Sequence, residues 1–111
     1  MKGIIYKIYF TNNNKIYIGS TFRTLRERRS EHLSRCYNNK CDAYNKKLYK
    51  YIRENLEPKN IKFDIIKEFD NINKKDLHNI EKFYINNSSY CLNVINNNEY
   101  ILGNYFLKKY Y

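Results

Sequence analysis

Two short runs of β-branched and aromatic residues, 3–10 (GIIYKIYF) and 15–20 (KIYIGS), stand either side of the polar loop Thr11-Asn12-Asn13-Asn14. Runs of this kind around so short a loop predict a β-hairpin. Asparagine suits the loop because it tolerates the left-handed backbone angles that a tight reversal needs. The helix signal follows at once. Thr24 with Glu27 three residues later forms a capping box, and it predicts a helix running to about Arg35.

The rest of the chain alternates between helical and extended signals. Residues 36–43 are polar and are expected to form a loop. Tyr44, Leu48, Tyr51 and Ile52 recur at helical spacing, giving a second helix to about Asn55, with Pro58 just beyond its end. Residues 61–69 (IKFDIIKEF) predict a third strand with Ile61, Phe63 and Ile65 on one face. Asn73 or Asn71 caps a third helix over about 74–87, with Leu77, Ile80, Tyr84 and Phe83 as its apolar stripe. Cys91-Leu92-Asn93-Val94 is expected to be short and extended. The tail from Glu99 to Tyr111 predicts a last helix with Tyr100, Ile101, Tyr105 and Phe106 packed inward. Asn96-Asn97-Asn98 is the nearest thing to a linker, and no internal repeat is present. The order β-β-α-α-β-α predicts an α+β fold: a small three-stranded sheet, at least partly antiparallel, flanked by helices.

At 111 residues the chain is expected to form one domain. Its formal charge is +10 and its pI about 9.5. That favours polyanions, with nucleic acid ahead of anionic membranes or acidic proteins. Tyrosine occurs 13 times, beside abundant Asn, Lys and Ile. These residues share A/T-rich codons, so abundance alone gives no tyrosine or lysine a function. The three cysteines, Cys36, Cys41 and Cys91, point to free thiols in a reducing compartment. Together with His32 their spacing matches no compact zinc knuckle, so zinc is not expected. Lys7 breaks the first apolar run, so the N-terminus is not read as a secretion signal. No stretch approaches the roughly 20 apolar residues of a membrane span. The expected location is therefore intracellular, and the chain is not expected to be secreted.

Arg28 and His32 are four residues apart and project from one helix face. A guanidinium fork matches phosphate oxygens, and an imidazole can bond a phosphate or a phenol, or move a proton. Arg23, Arg26, Arg29 and Arg35 also fit a plain solvated basic face, and on this helix alone that is the simpler reading. Glu81 falls on or beside the apolar stripe of the third helix. A carboxylate there is costly unless a cation meets it. A divalent metal or Arg28 would serve, and so would a half-exposed position paired with His78 or Lys82. Tyr6 and Tyr17 lie on neighbouring strands. Two phenols there could bond a water and a phosphate, although a free phenol has a pKa of about 10 and a base role demands a strong local cation. Tyrosine also simply suits sheets. Gly19 permits close approach by a ligand, or merely eases a strand end.

In order along the chain stand Gly3-Ile4-Ile5-Tyr6, Tyr17-Ile18-Gly19, Leu25-x-x-Arg28-x-x-x-His32, Glu81-x-x-x-Ile85 and Asn93. This pattern resembles the GIY-YIG nuclease family over roughly residues 3–95, with one extra residue in the first triplet. The resemblance implies a three-stranded antiparallel sheet and hydrolysis of DNA phosphodiesters with a single divalent ion, Mg²⁺ or Mn²⁺. It implies that Glu81 is the metal ligand and that Arg28 contacts the scissile phosphate. Tyr6 and Tyr17 would line the water and phosphate site, one of them as general base or its aide, with His32 in support. Asn93 would close the site. Residues 1–95 would form the nuclease domain and 96–111 an extension packed on it. DNA would run over Gly19, Arg23, Arg26, Arg29, Arg35, Lys46 and Lys47. Phosphate contacts give affinity without sequence choice, so specificity is expected to be low, with a partner protein or an added subunit supplying any more. A monomer is expected.

Two other readings compete. A non-catalytic nucleic-acid-binding domain could keep the same fold, although loss of catalysis would free these positions to drift. The Tyr-rich tail could serve assembly, since tyrosine clusters are common at interfaces; core packing is the preferred role for it.

Overall fold

A nearly continuous apolar run drives the first strand into the middle of the sheet. In the computed structural model, which describes residues 1–55, 57–88, 92 and 93, β1 (Gly3–Phe10) buries side chains on both of its faces. β2 (Ile16–Thr21) pairs antiparallel with it on one side and β3 (Ile61–Phe69) antiparallel on the other, giving the order β2-β1-β3. The hairpin of β1 and β2 therefore forms as expected. α1 spans Leu25–Tyr37, α2 Lys47–Asn55 and α3 Lys74–Asn86, with short 3₁₀ turns at Asp42–Asn45 and Pro58–Asn60. The architecture is a three-stranded antiparallel sheet with helices on both faces.

The two faces of β1 seed two cores. Ile4, Tyr6, Ile8 and Phe10 pack with Cys36 of α1 and with Leu48, Tyr49 and Ile52 of α2. Ile5 turns the other way, joining Ile18 of β2, Phe69, Ile72, and Leu77, Ile80 and Ile85 of α3. Ile5, Ile8, Ile18 and Ile80 are buried almost completely, and each such side chain contributes about 1.5–3 kcal/mol relative to exposure.

Helix starts follow the local chemistry. The Thr24 hydroxyl accepts from the Glu27 N–H at 3.2 Å, and the Glu27 carboxylate accepts from the Thr24 N–H at 3.2 Å. Asn73 is the cap of α3, its side chain accepting from the Asp76 N–H at 2.8 Å.

Four local expectations change. α1 continues past Arg35 to Tyr37, because Cys36 is a core residue and so extends the buried face into the expected loop. Tyr44 belongs to the first 3₁₀ turn and not to α2. There the Arg53 guanidinium lies 3.6 Å from its ring centroid and donates to the carbonyls of Cys36 and Tyr44 at 2.6 and 2.7 Å. That one side chain ties α1, the turn and α2 together. In β3, a register shift opposite Ile5 and Tyr6 leaves Ile66 as the extra residue. Ile61, Phe63 and Ile65 do share a face, pairing with Phe10, Ile8 and Tyr6, but Ile65 on this edge strand is 43% exposed. On α3 the fully buried stripe is Leu77, Ile80 and Ile85; Tyr84 is half-buried and packs against it as expected, while Phe83 is half-buried and lies outside that cluster.

Of the expected segment 91–94, Leu92 and Asn93 are described, and they run beside the free edge of β2. The Leu92 N–H donates to the Ile16 carbonyl at 2.7 Å. Cys91, Val94, the Asn96–Asn98 stretch and the expected last helix lie outside the described residues, as does the packing of 96–111.

Candidate active site

The free edge of β2 is where both helical layers meet. Residues Tyr17 and Gly19 face the α1 and α2 side, while Ser20 faces α3, because neighbouring strand residues point to opposite faces. A cleft of about 350 Å³ opens there, lined by Tyr17, Arg28, His32, Tyr49, Glu81 and Asn93 among others.

Tyr6 anchors the inner wall. Its side chain is fully buried, and its hydroxyl lies 2.7 Å from His32 Nε2 and accepts from Arg28 Nε at 3.0 Å. The other His32 nitrogen, Nδ1, is 2.8 Å from the Tyr49 hydroxyl. His32 is itself 3% exposed and sits edge-on to the rings of Tyr6, Tyr17 and Tyr49 at 5.8–5.9 Å. Arg28 also contacts Glu31 at 3.3 Å, and Arg23 and Arg35 reach the same carboxylate at 3.4 and 3.2 Å. Glu31 thus holds Arg28 from outside while Tyr6 holds it from inside.

Burial sets the protonation of this wall. It pushes the Tyr6 phenol well above its usual range, against the opposing pull of Arg28. It pushes the Tyr49 phenol up as well, with Arg28 and Arg35 opposing. Burial, reinforced by Arg28, Arg35 and Lys46, pushes His32 down to about 3. Near neutral pH the wall is therefore two protonated phenols and a neutral imidazole beside a cationic guanidinium.

The opposite wall carries the carboxylate. The Glu81 side chain is only 16% exposed. Ser20 hydrogen-bonds it through hydroxyl and backbone N–H, yet burial still raises its pKa. His78 Nδ1 lies 3.4 Å away, on a side chain that is 56% exposed. Both features considered for Glu81 are present: it turns into a desolvated position, and it has His78 as a neighbour. Among the described residues it is the only carboxylate lining the cleft, and no three His, Cys, Asp or Glu side chains gather into a cluster. Both His32 nitrogens are engaged by tyrosine hydroxyls. Asn93 closes the edge, its side-chain oxygen accepting from the Ile18 N–H at 2.9 Å and its amide donating to the Ile18 carbonyl at 2.6 Å.

The other basic residues divide. Lys46 and Lys47 line the cleft. Arg35 is held by Glu31, and Arg23 stands 62% exposed at the outer end of the same ion-pair cluster. Arg26 and Arg29 sit elsewhere, over a shallow groove beside Ile61 and Phe63 of β3. Gly19 is buried, and the close approach it allows is that of Tyr6. A Cβ there would fall on the phenol, 2.5 Å from Cζ. Gly19→Ala is expected to displace Tyr6, lowering stability by about 1–3 kcal/mol, as overpacking does. Urea unfolding measures this; a midpoint equal to the parent's would mean the ring is not held against the strand.

Three contributors do not stand out in the sequence. Tyr49 carries a signal, since it lies three residues before Ile52 on the buried side of α2. Glu31 is a lone acid among arginines. Ser20 has no signal beyond its place after Gly19.

The family model for the GIY-YIG catalytic domain matches residues 2–96. The chain belongs to the GIY-YIG family, and its fold is the α+β fold expected of that family. The family is one of nucleases. No curated protein sequence matches the chain, and no solved structure matches it. No helix among the described residues is long and apolar enough to cross a membrane.

Proposed function

We propose that the chain is an endonuclease that hydrolyses DNA phosphodiesters with one divalent cation, Mg²⁺ or Mn²⁺, and with little sequence choice of its own. The observation that carries this reading is the presence of Arg28 and Glu81 in one cleft, together with Tyr17, Lys46 and Lys47. A basic groove that merely held DNA would gain nothing from a desolvated carboxylate on its wall, which repels phosphate. A catalytic groove does.

The donor set suits the metal. One hard carboxylate, with substrate oxygens and water completing the shell, is how Mg²⁺ is usually held. Glu81 would be the protein ligand, with Ser20 orienting it. When bound, such an ion supplies charge neutralisation at the phosphate and stabilises the leaving oxygen.

The chain's own residues do the remainder. Arg28, pinned at Nε and Nη1, presents the rest of its fork to a phosphate oxygen. Lys46 and Lys47 draw the backbone in. Tyr17 lines the cleft, and its phenol would hold a water there, while buried Tyr6 works from behind Arg28 and His32. Asn93 holds the β2 edge that carries Tyr17. Free Cys36 and Cys41 suit a reducing, intracellular setting. We take the chain to act as a monomer, with any further specificity coming from a partner protein or added subunit.

The test is nicking of supercoiled plasmid with Mg²⁺, with Mn²⁺ and with EDTA. Nicking with either ion and none with EDTA is expected. DNA binding without nicking under any of these conditions would favour the non-catalytic reading.

A further inference from the structure

The Tyr6 hydroxyl has two hydrogen-bonding neighbours among the described residues, Arg28 Nε at 3.0 Å and His32 Nε2 at 2.7 Å. A guanidinium can only donate. Tyr6 is fully buried, so its own phenolic proton needs an acceptor inside the protein. His32 Nε2 is the atom in place to take it, and must therefore be bare. A neutral imidazole with a bare Nε2 carries its proton on Nδ1, and Nδ1 faces the Tyr49 hydroxyl at 2.8 Å. The hydrogen bonds then run in one direction, from Arg28 to Tyr6, from Tyr6 to His32 and from His32 to Tyr49. The opposite tautomer would aim two donors at Tyr6 and strand its proton. Tyr49, which Arg35 also approaches as a donor, lines the cleft, so its own proton can go to solvent there, whereas Tyr6 is sealed from the cleft.

We infer that Tyr49 is a positioning residue of the nuclease site: by accepting from Nδ1 it fixes the tautomer and ring orientation of His32, and through Tyr6 the set of the Arg28 guanidinium. Tyr49 comes from α2, outside the helix that carries Arg28 and His32, so the contact also locks α2 to the site. The functional half of this inference rests on the nuclease reading above; the tautomer half does not.

Two measurements test it together. In the parent protein, ¹⁵N NMR of the imidazole near neutral pH is expected to show His32 as the Nδ1–H tautomer, and an Nε2–H pattern overturns the inference. Tyr49→Phe keeps the ring and removes the acceptor. It is expected to give His32 a mixture of tautomers and to slow cutting by about 10- to 100-fold, the scale of loss when the partner that orients a metal-bound histidine is removed. DNA affinity in EDTA should stay within about twofold. Parent-like cutting by Tyr49→Phe, or an unaltered Nδ1–H pattern, overturns the role. If Tyr49→Phe does not fold, the parent spectrum alone still decides: Nδ1–H supports the arrangement and Nε2–H overturns it. A parent that cuts no DNA overturns the nuclease reading instead, while both spectra still judge the tautomer.

Discussion

Glu81→Gln is expected to cut DNA about a thousandfold more slowly than the parent while folding at least as well. The carboxylate is held in a desolvated place, with burial raising its pKa. Such a charge opposes folding, and glutamine keeps the shape while removing it. The contact with His78 offsets little of that cost, because His78 is 56% exposed and even a fully charged exposed pair contributes roughly 0–1 kcal/mol. The thermal midpoint should therefore stay level or rise. Cutting behaves in the opposite way. A thousandfold loss is about 4 kcal/mol of transition-state stabilisation, a size that losing a carboxylate which holds a catalytic ion, the role proposed for Glu81, can produce. DNA affinity without metal should hold or tighten, since a negative charge leaves a basic cleft. Plasmid nicking rates with Mg²⁺, melting curves and DNA binding in EDTA measure the three effects. A variant that nicks at the parent's rate would remove Glu81 from the site.

What the sequence showed, and what it could not, follows the range of each interaction. The hairpin and the start of α1 were legible because their causes are local. The Asn-rich reversal sits between two apolar runs, and Thr24 and Glu27 are three residues apart. Arg28 and His32 were legible as a pair for the same reason, four residues on one helix face. Tyr49 was not, because its role depends on α2 folding back across α1, which no spacing encodes. The exposure of Ile65 was hidden for another reason: the register of β3 shifts opposite Ile5 and Tyr6, and the strand lies at the sheet edge. Gly19 had two readings in sequence, and the ring of Tyr6 above it supplies the reason for a missing side chain. Glu81 could be read as buried or paired; only the meeting of α3 with the β2 edge places it near Arg28.

Arg28→Ala is expected to lower the cutting rate by about a thousandfold, and Arg28→Lys to recover little of that loss. Arg28 does three things at once: Nε donates to Tyr6, Nη1 contacts Glu31, and the side chain lines the cleft. Lysine carries the charge on one rotatable group and cannot span these partners together. Loss of a single preorganised donor to a transition-state oxyanion costs about 10²–10³ in rate, and a charged fork on a phosphoryl group about 10³ or more. Stability should fall by only about 1 kcal/mol, because Tyr6 keeps its bond to His32 and Glu31 keeps Arg23 and Arg35. The dependence of DNA binding on salt should also ease, by about one unit of slope for one phosphate no longer held. Arg26→Ala and Arg29→Ala provide the contrast. Both side chains lie over the β3 groove, away from Glu81, so their removal should weaken binding at most and leave turnover within about twofold. Single-turnover cleavage of one labelled duplex by all four variants separates the cases. If Arg28→Lys cuts like the parent, or if Arg26→Ala or Arg29→Ala loses as much as Arg28→Ala, the charge of α1 as a whole matters and the fork of Arg28 does not.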